Sequence, residues 1–114
     1  MATADDLRRI AMSFEGVAEY PHFDRRAFKA RVTFATLATD GLTANLKFAL
    51  DEQALKCAVQ PEAFTPLDNA WGRQGWTLAK LGALGQAELG AALTIAYAHA
   101  KPRPRSKRRG LRRA

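Results

Sequence analysis

The chain is predicted to be an α+β protein, an antiparallel sheet with helices packed on one face, followed by a basic tail. Three observations predict it. Residues 26–48 alternate apolar and polar with period two and contain the turn dipeptide Asp40-Gly41. Residues 3–14 and 86–100 instead space their apolar side chains at i, i+3, i+4 and i+7, the stripe of an amphipathic helix. The 114 residues have room for one core. Helices set apart from an antiparallel meander close that core as two layers, with the second sheet face partly open to water.

In the first helix, over residues 3–14, Leu7, Ile10, Ala11 and Phe14 form the stripe. Thr3 is placed to cap it, Asp5 and Asp6 suit the positive end of the helix dipole, and Gly16 stops it. Glu19-Tyr20-Pro21-His22-Phe23 is extended but interrupted by proline, which marks an edge strand or a lead-in to one. From Arg26 to Leu37, Phe28, Ala30, Val32 and Phe34 share one parity and Lys29, Arg31 and Thr33 the other. Twelve residues are long for one strand, so a tight turn near residues 31–33 is expected to split them into a hairpin.

Asp40-Gly41 suits a type I′ turn. After it Leu42, Ala44, Leu46 and Phe48 are expected inward, and Thr43, Asn45 and Lys47 outward. Asp51 opens a second helix as its N-cap, with Ala54, Leu55, Ala58 and Val59 as the packed side and Pro61 as the stop. Glu62-Ala63-Phe64 reads as a turn and residues 76–81 as a short strand. Gly82 and Gly85 bracket a connector. The third helix, residues 86–100, packs through Leu89, Ala92, Leu93 and Ala96 and is stopped by Pro102 and Pro104.

Between the second helix and the last strand, residues 66–78 hold both tryptophans, Trp71 and Trp76, with Gly72 and Gly75 between them. Two compatible readings follow. The tryptophans plug the core under a turn, packing on Phe28, Phe34 or Phe64. Alternatively, a fixed loop presents Arg73 and Gln74 at its tip to a partner.

Composition narrows the function. The net charge of +7 belongs to the end of the chain: residues 101–114 hold eight cations and no acid. The other 100 residues hold 10 basic and 11 acidic side chains, a net charge of −1. This segment is too polar and proline-rich to fold alone, so residues 1–100 are taken as the domain and 101–114 as a disordered basic tail. Cys57 is the one cysteine, so no internal disulfide forms. No apolar run approaches the roughly 18 residues of a membrane span, and the acidic start lacks a signal-like apolar region. No membrane association and a cytoplasmic location are expected.

An enzyme is not expected. A nucleophile needs a base in reach and a group to orient that base. Cys57 sits inside a helix as a packed thiol, His99 ends a helix, and His22, beside Pro21 and Phe23, is read as structural. No glycine-rich phosphate loop is present, and Asp5 and Asp6 beside Arg8 and Arg9 are a helix start rather than a metal site. No cofactor and no metal are expected. Phosphate contacts call for Arg, Lys, Asn and Gln. Arg25, Arg26, Lys29, Arg31, Asn45, Lys47, Arg73, Gln74 and Lys80 supply them in the β-rich half, and Arg103, Arg105, Lys107, Arg108 and Arg109 in the tail. The expected partner is nucleic acid, chiefly DNA, bound weakly and without strong sequence preference. The alternative is a protein- or small-ligand-binding adaptor with its groove beside Trp71 and Trp76.

Several stretches together resemble one family. Tyr20-Pro21-His22-Phe23-Asp24-Arg25, Phe34-Ala35-Thr36-Leu37, Asn45-Leu46-Lys47, Pro61-Glu62-Ala63-Phe64 and Trp71-Gly72-Arg73-Gln74-Gly75-Trp76-Thr77 are similar, in order and spacing, to the MmcQ/YjbR-like family. The resemblance spans residues 3–100. It implies a compact fold of the frataxin (CyaY-like) type and a DNA-binding role through a "double wing" of β-hairpins. The link at Arg31-Val32-Thr33 departs from it, lacking the glycine that many members carry there. The basic tail lies outside the shared region.

Overall fold

The computed structural model describes residues 1–102. The tail residues expected to contact phosphate, Arg103, Arg105, Lys107, Arg108 and Arg109, lie outside the described residues. Helix α1 spans Ala4–Ser13, α2 Leu50–Val59 and α3 Gln86–Ala98. The strands are β1 Ala18–His22, β2 Arg25–Lys29, β3 Thr33–Leu37, β4 Thr43–Lys47, β5 Phe64–Pro66 and β6 Trp76–Lys80. They form one six-stranded antiparallel sheet in the order β1-β2-β3-β4-β6-β5. The α+β class read from the alternation of residues 26–48 is the one observed. Glu62 and Ala63 lie in the turn read there, while Phe64 already belongs to β5, which pairs with β6 as the short edge strand.

Helix α1 starts where the sequence places it. The Asp6 N–H donates to Thr3 Oγ1 at 3.2 Å, and the Thr3 N–H donates back to Asp6 Oδ2 at 3.0 Å, a reciprocal cap. Leu7 and Ala11 are fully buried and meet Leu89, Leu93 and Ala96 of α3 in one core with Phe28, Leu46, Phe48 and Phe64 of the sheet side. Helix α3 uses the expected stripe and ends at Ala98, four residues before Pro102.

The β2–β3 hairpin forms with its turn at residues 30–32, and no residue of the turn has positive φ. No glycine is needed there. Lys29 pairs with Thr33 while Phe28 pairs with Ala35, so Phe34 is an extra residue in β3. This bulge turns Phe34 onto the helix side, where its ring lies 6.3 Å from Phe14 and 5.6 Å from Tyr97. Val32, expected inward, is exposed in the turn.

Three further expectations are corrected. Asp40-Gly41 lies in the β3–β4 hairpin, but only Gly41 has positive φ, at 74°, whereas a type I′ turn requires it at both central residues. The loop is longer, closed by Ala38 N–H to Thr43 O and by Asp40 Oδ1 accepting from Leu42 N–H, and Leu42 is exposed. Helix α2 is capped two residues earlier than Asp51: Ala49 is its N-cap, its N–H donating to Glu52 Oε1 at 2.8 Å. Its packed side is not Ala54, Leu55, Ala58 and Val59, all exposed, but the opposite one, where Gln53 is only 8% exposed and Cys57 adjoins the core. Burial pushes the Cys57 thiol up, away from the reactive thiolate.

Both outer strands contain a proline, Pro21 in β1 and Pro66 in β5. Glu19 of β1 faces the helices and holds two arginines, Arg8 Nε at 3.0 Å and Arg26 Nε at 2.9 Å. Partial burial alone would raise its carboxyl, but the two hydrogen bonds and charges of Arg8 and Arg26 outweigh it and hold it below the usual 4.5. A carboxyl lowered by folding adds stability above its unfolded value and loses it as pH falls through the folded one. Glu19→Gln is therefore expected to lower the melting temperature at pH 7. Below about pH 4.5, thermal scans of the variant and the parent are expected to converge.

Candidate functional site

The three helices leave one sheet face uncovered. The register rows Tyr20–Ala27–Thr36–Asn45–Leu78–Thr65 and Lys47–Trp76 lie on that face, one residue out of phase with the core row Phe28–Ala35–Leu46–Thr77. A cleft of about 460 Å³ opens on it, lined by His22, Phe23, Asp24, Arg25, Thr33, Thr36, Asn45, Leu67, Trp71 and Trp76. Its floor is the polar middle of β3 and β4. One wall is the tip of the β1–β2 hairpin and the other is the tryptophan loop.

The hairpin wall is built under strain. Phe23 has φ 59, the one non-glycine residue with positive φ among the described residues, and its side chain is 93% exposed. A bulky residue held there costs on the order of 1–3 kcal/mol, with almost no burial in return. Its ring meets His22 edge-on at 4.8 Å, and His22 in turn meets Tyr20 at 6.4 Å. Below them the Tyr20 and Thr33 hydroxyls share a hydrogen bond, and Lys29 Nζ sits 5.6 Å over the Tyr20 ring. Arg25 lines the cleft and is pinned to Thr36, its Nε donating to Oγ1 at 2.9 Å and its Nη2 to the carbonyl oxygen at 3.5 Å.

The opposite wall is positioned by backbone. Asn69 Oδ1 accepts from the N–H groups of Trp71 and Gly72 at 2.9 and 3.2 Å, and a 3-10 turn over Gly72–Gln74 follows. From beneath, the Gln53 amide of α2 donates to Gly72 O at 3.0 Å and to Trp76 O at 3.1 Å. These contacts fix the loop, so the tryptophans are not needed as its anchors. Trp71 is 58% exposed and Trp76 half-buried against the cleft, on the side away from Phe28, Phe34 and Phe64. The expectation of a tryptophan core plug is corrected: Gly72, Gly75 and Gln53 fill that role.

The expected contact residues separate into groups. Arg25, Lys29, Asn45, Lys47 and Lys80 share the open face. Arg73 and Gln74 are exposed at the loop tip, as the sequence predicts. Arg26 and Arg31 do not belong to the site. Arg26 has the other parity and is held by Glu19. Arg31 lies in the hairpin turn, its Nη2 donating to His99 O at 2.9 Å and its N–H to Ala100 O at 2.7 Å, which satisfies acceptors at the end of α3. His99, at the end of α3, pairs with Glu52, with Nε2 and Oε1 2.8 Å apart, while remaining partly exposed. Sequence reasoning missed His22, Phe23, Asp24, Thr33, Thr36 and Leu67 as cleft residues. The available signal was an aromatic residue in a two-residue turn beside Asp24, where glycine or asparagine is usual.

No family model and no curated protein matches this sequence. Among solved structures, the chain is similar to the Deinococcus radiodurans protein DR2400, which carries a DUF419 domain. The TM-score is 0.75 at 22% identity, covering 97% of this chain and 88% of that one. The likeness extends to the whole fold. No helix among the described residues is long and apolar enough to cross a membrane.

Proposed function

We propose that the chain is a small non-enzymatic nucleic-acid-binding module of the MmcQ/YjbR-like family, acting in the cytoplasm and contacting chiefly DNA phosphates. One observation carries the reading: Arg25, Lys29, Asn45, Lys47 and Lys80 share the sheet face that the helices leave free. Most acids of the body lie off that face, in helices and turns, so a domain near zero net charge still presents a positive surface. The backbone likeness to DR2400 supports the family, since DUF419 is the MmcQ/YjbR-like family. In this reading Arg73 and Gln74 extend the surface, and Arg103, Arg105, Lys107, Arg108 and Arg109 add contacts that read no base.

The test is a salt titration on DNA. Replacing Lys29, Lys47 and Lys80 together by Gln removes up to three phosphate contacts, so the slope of log K against log salt is expected to flatten by about 2–3. The melting temperature is expected to hold, because Lys29 and Lys80 are exposed and Lys47 makes no ion pair among the described residues. A slope unchanged by the triple substitution overturns the face. The cleft volume favours a second reading, a small-ligand-binding adaptor, since about 460 Å³ falls in the range of small-molecule sites. Tryptophan fluorescence that responds to a metabolite and not to DNA would favour it.

A further inference from the structure

Phosphate contacts account for the lysines but not for the cleft between them. Phosphates need no aromatic walls, and a strained, solvent-facing phenylalanine contributes nothing to a purely electrostatic surface. Two large aromatics, Phe23 and Trp71, are exposed on opposite rims of one cavity, with Trp76 and His22 behind them. Asn45 lines the floor, and its carboxamide has no hydrogen-bond partner among the described residues. A carboxamide offers a donor and an acceptor side by side, the pattern that pairs with a base edge.

We infer that this cleft takes one unstacked nucleobase, held between the tryptophan wall and the Phe23 hairpin, with Asn45 on its edge and its phosphates outside. The inference rests on the nucleic-acid reading and makes it a single-strand reading. Paired bases inside a duplex keep their faces stacked on their neighbours, so only an unpaired base can enter, as on other sheet surfaces that stack bases on aromatics. The cations fit this placement. Lys47 stands opposite Trp76 and Lys29 pairs with Thr33 toward the same end of the face, whereas Arg25 and Lys80 lie toward the other end, so a strand passing over the cleft meets positive charge at both ends. Asp24 is the one acid in the lining and has no ion-pair partner among the described residues. A carboxylate only accepts, so it suits an exocyclic amino group. Cytosine carries one and thymine does not.

The experiment uses the full chain at about 0.2 M salt, where contacts through phosphate alone are weakened. Binding of single-stranded (dC)12, single-stranded (dT)12, a mixed 12-base-pair duplex and free dCMP is followed by tryptophan fluorescence and by anisotropy of labelled oligonucleotide. The single strands are expected to quench the tryptophans and to bind about tenfold tighter than the duplex, with (dC)12 ahead of (dT)12. Trp71→Ala is expected to lower single-strand affinity about tenfold, by loss of stacking, and to leave the duplex affinity unchanged. Trp71→Phe restores most of it, and Asp24→Asn narrows the gap between the two homopolymers. The exposure of Trp71 keeps both Trp71 variants folded, which circular dichroism checks.

Equal binding of duplex and single strand with unquenched tryptophans overturns the base pocket and leaves phosphate binding standing. No binding of any oligonucleotide together with quenching by dCMP upholds the base-binding chemistry and assigns it to a free nucleotide, against the polynucleotide reading. Silence toward all four probes overturns both.

Discussion

Gly75→Ala is expected to destabilise the domain by about 2–5 kcal/mol. Two penalties add. Gly75 has φ 108, where a side chain costs on the order of 1–2 kcal/mol. A Cβ built there also stands 1.9 Å from the Phe48 carbonyl oxygen, so backbone must move, which typically costs about 1–3 kcal/mol. The movement breaks a specific bond, the Phe48 N–H to Gly75 O contact at 3.1 Å that ties the end of β4 to the loop. Gly82→Ala is the control: its Cβ meets only Met1 Cε at 3.5 Å, an ordinary contact, and stability is expected to stay within about 1 kcal/mol. Urea denaturation of the two variants checks this. Equal midpoints would mean that the loop is not clamped on β4.

Gln53→Leu is expected to cost about 2–3 kcal/mol although it exchanges a polar residue for an apolar one inside the protein. The side-chain amide donates to two carbonyls, Gly72 O and Trp76 O, which also accept from the Gly75 and Leu67 N–H groups, so a leucine removes one hydrogen bond from each, at about 1–1.5 kcal/mol apiece. The tryptophan loop then loses its only side-chain tie to α2 among the described residues. Tryptophan emission in the native baseline is therefore expected to shift, alongside the lower urea midpoint. Gln53→Glu is expected to be worse at neutral pH, where a carboxylate faces two carbonyl oxygens, and to recover as pH falls and the protonated carboxyl becomes a donor. A carboxyl whose pKa folding raises gives more stability at low pH and loses it as pH rises through the folded value, so the sign is opposite to that of Glu19.

These two positions also show why parts of the molecule were legible in the sequence and parts were not. Alternation identifies strands, and Asp40-Gly41 places a hairpin, because both are local consequences of backbone geometry. Alternation does not say which parity faces the helices around an irregularity. The bulge at Phe34 puts Phe34 and Ala35 on one side, and nothing in the residues announces the extra one. Hydrophobicity misled in two places for one reason. Trp71 and the Leu55–Val59 side of α2 look like core by composition, yet the positions beneath the loop require a hydrogen-bond donor and two absent side chains, supplied by Gln53, Gly72 and Gly75. Of the expected contact residues, Arg25, Lys29, Asn45, Lys47 and Lys80 fall on one face, whereas Arg26 and Arg31 are held by partners distant in sequence, Glu19 and the end of α3.

The prolines of β1 and β5 have a consequence for the protein in concentrated solution. A sheet with two free margins and one bare face invites addition of further strands from other molecules, the first step of fibril growth. Pro66 sits where the Phe64–Ala79 and Pro66–Thr77 pairings direct backbone groups away from β6, so the β5 margin lacks a donor that an incoming strand would need. Pro21 removes a donor from the other margin, and neither border offers an unbroken row of N–H groups. The two margins that flank the open face are thereby prevented from serving as templates for another copy of the chain.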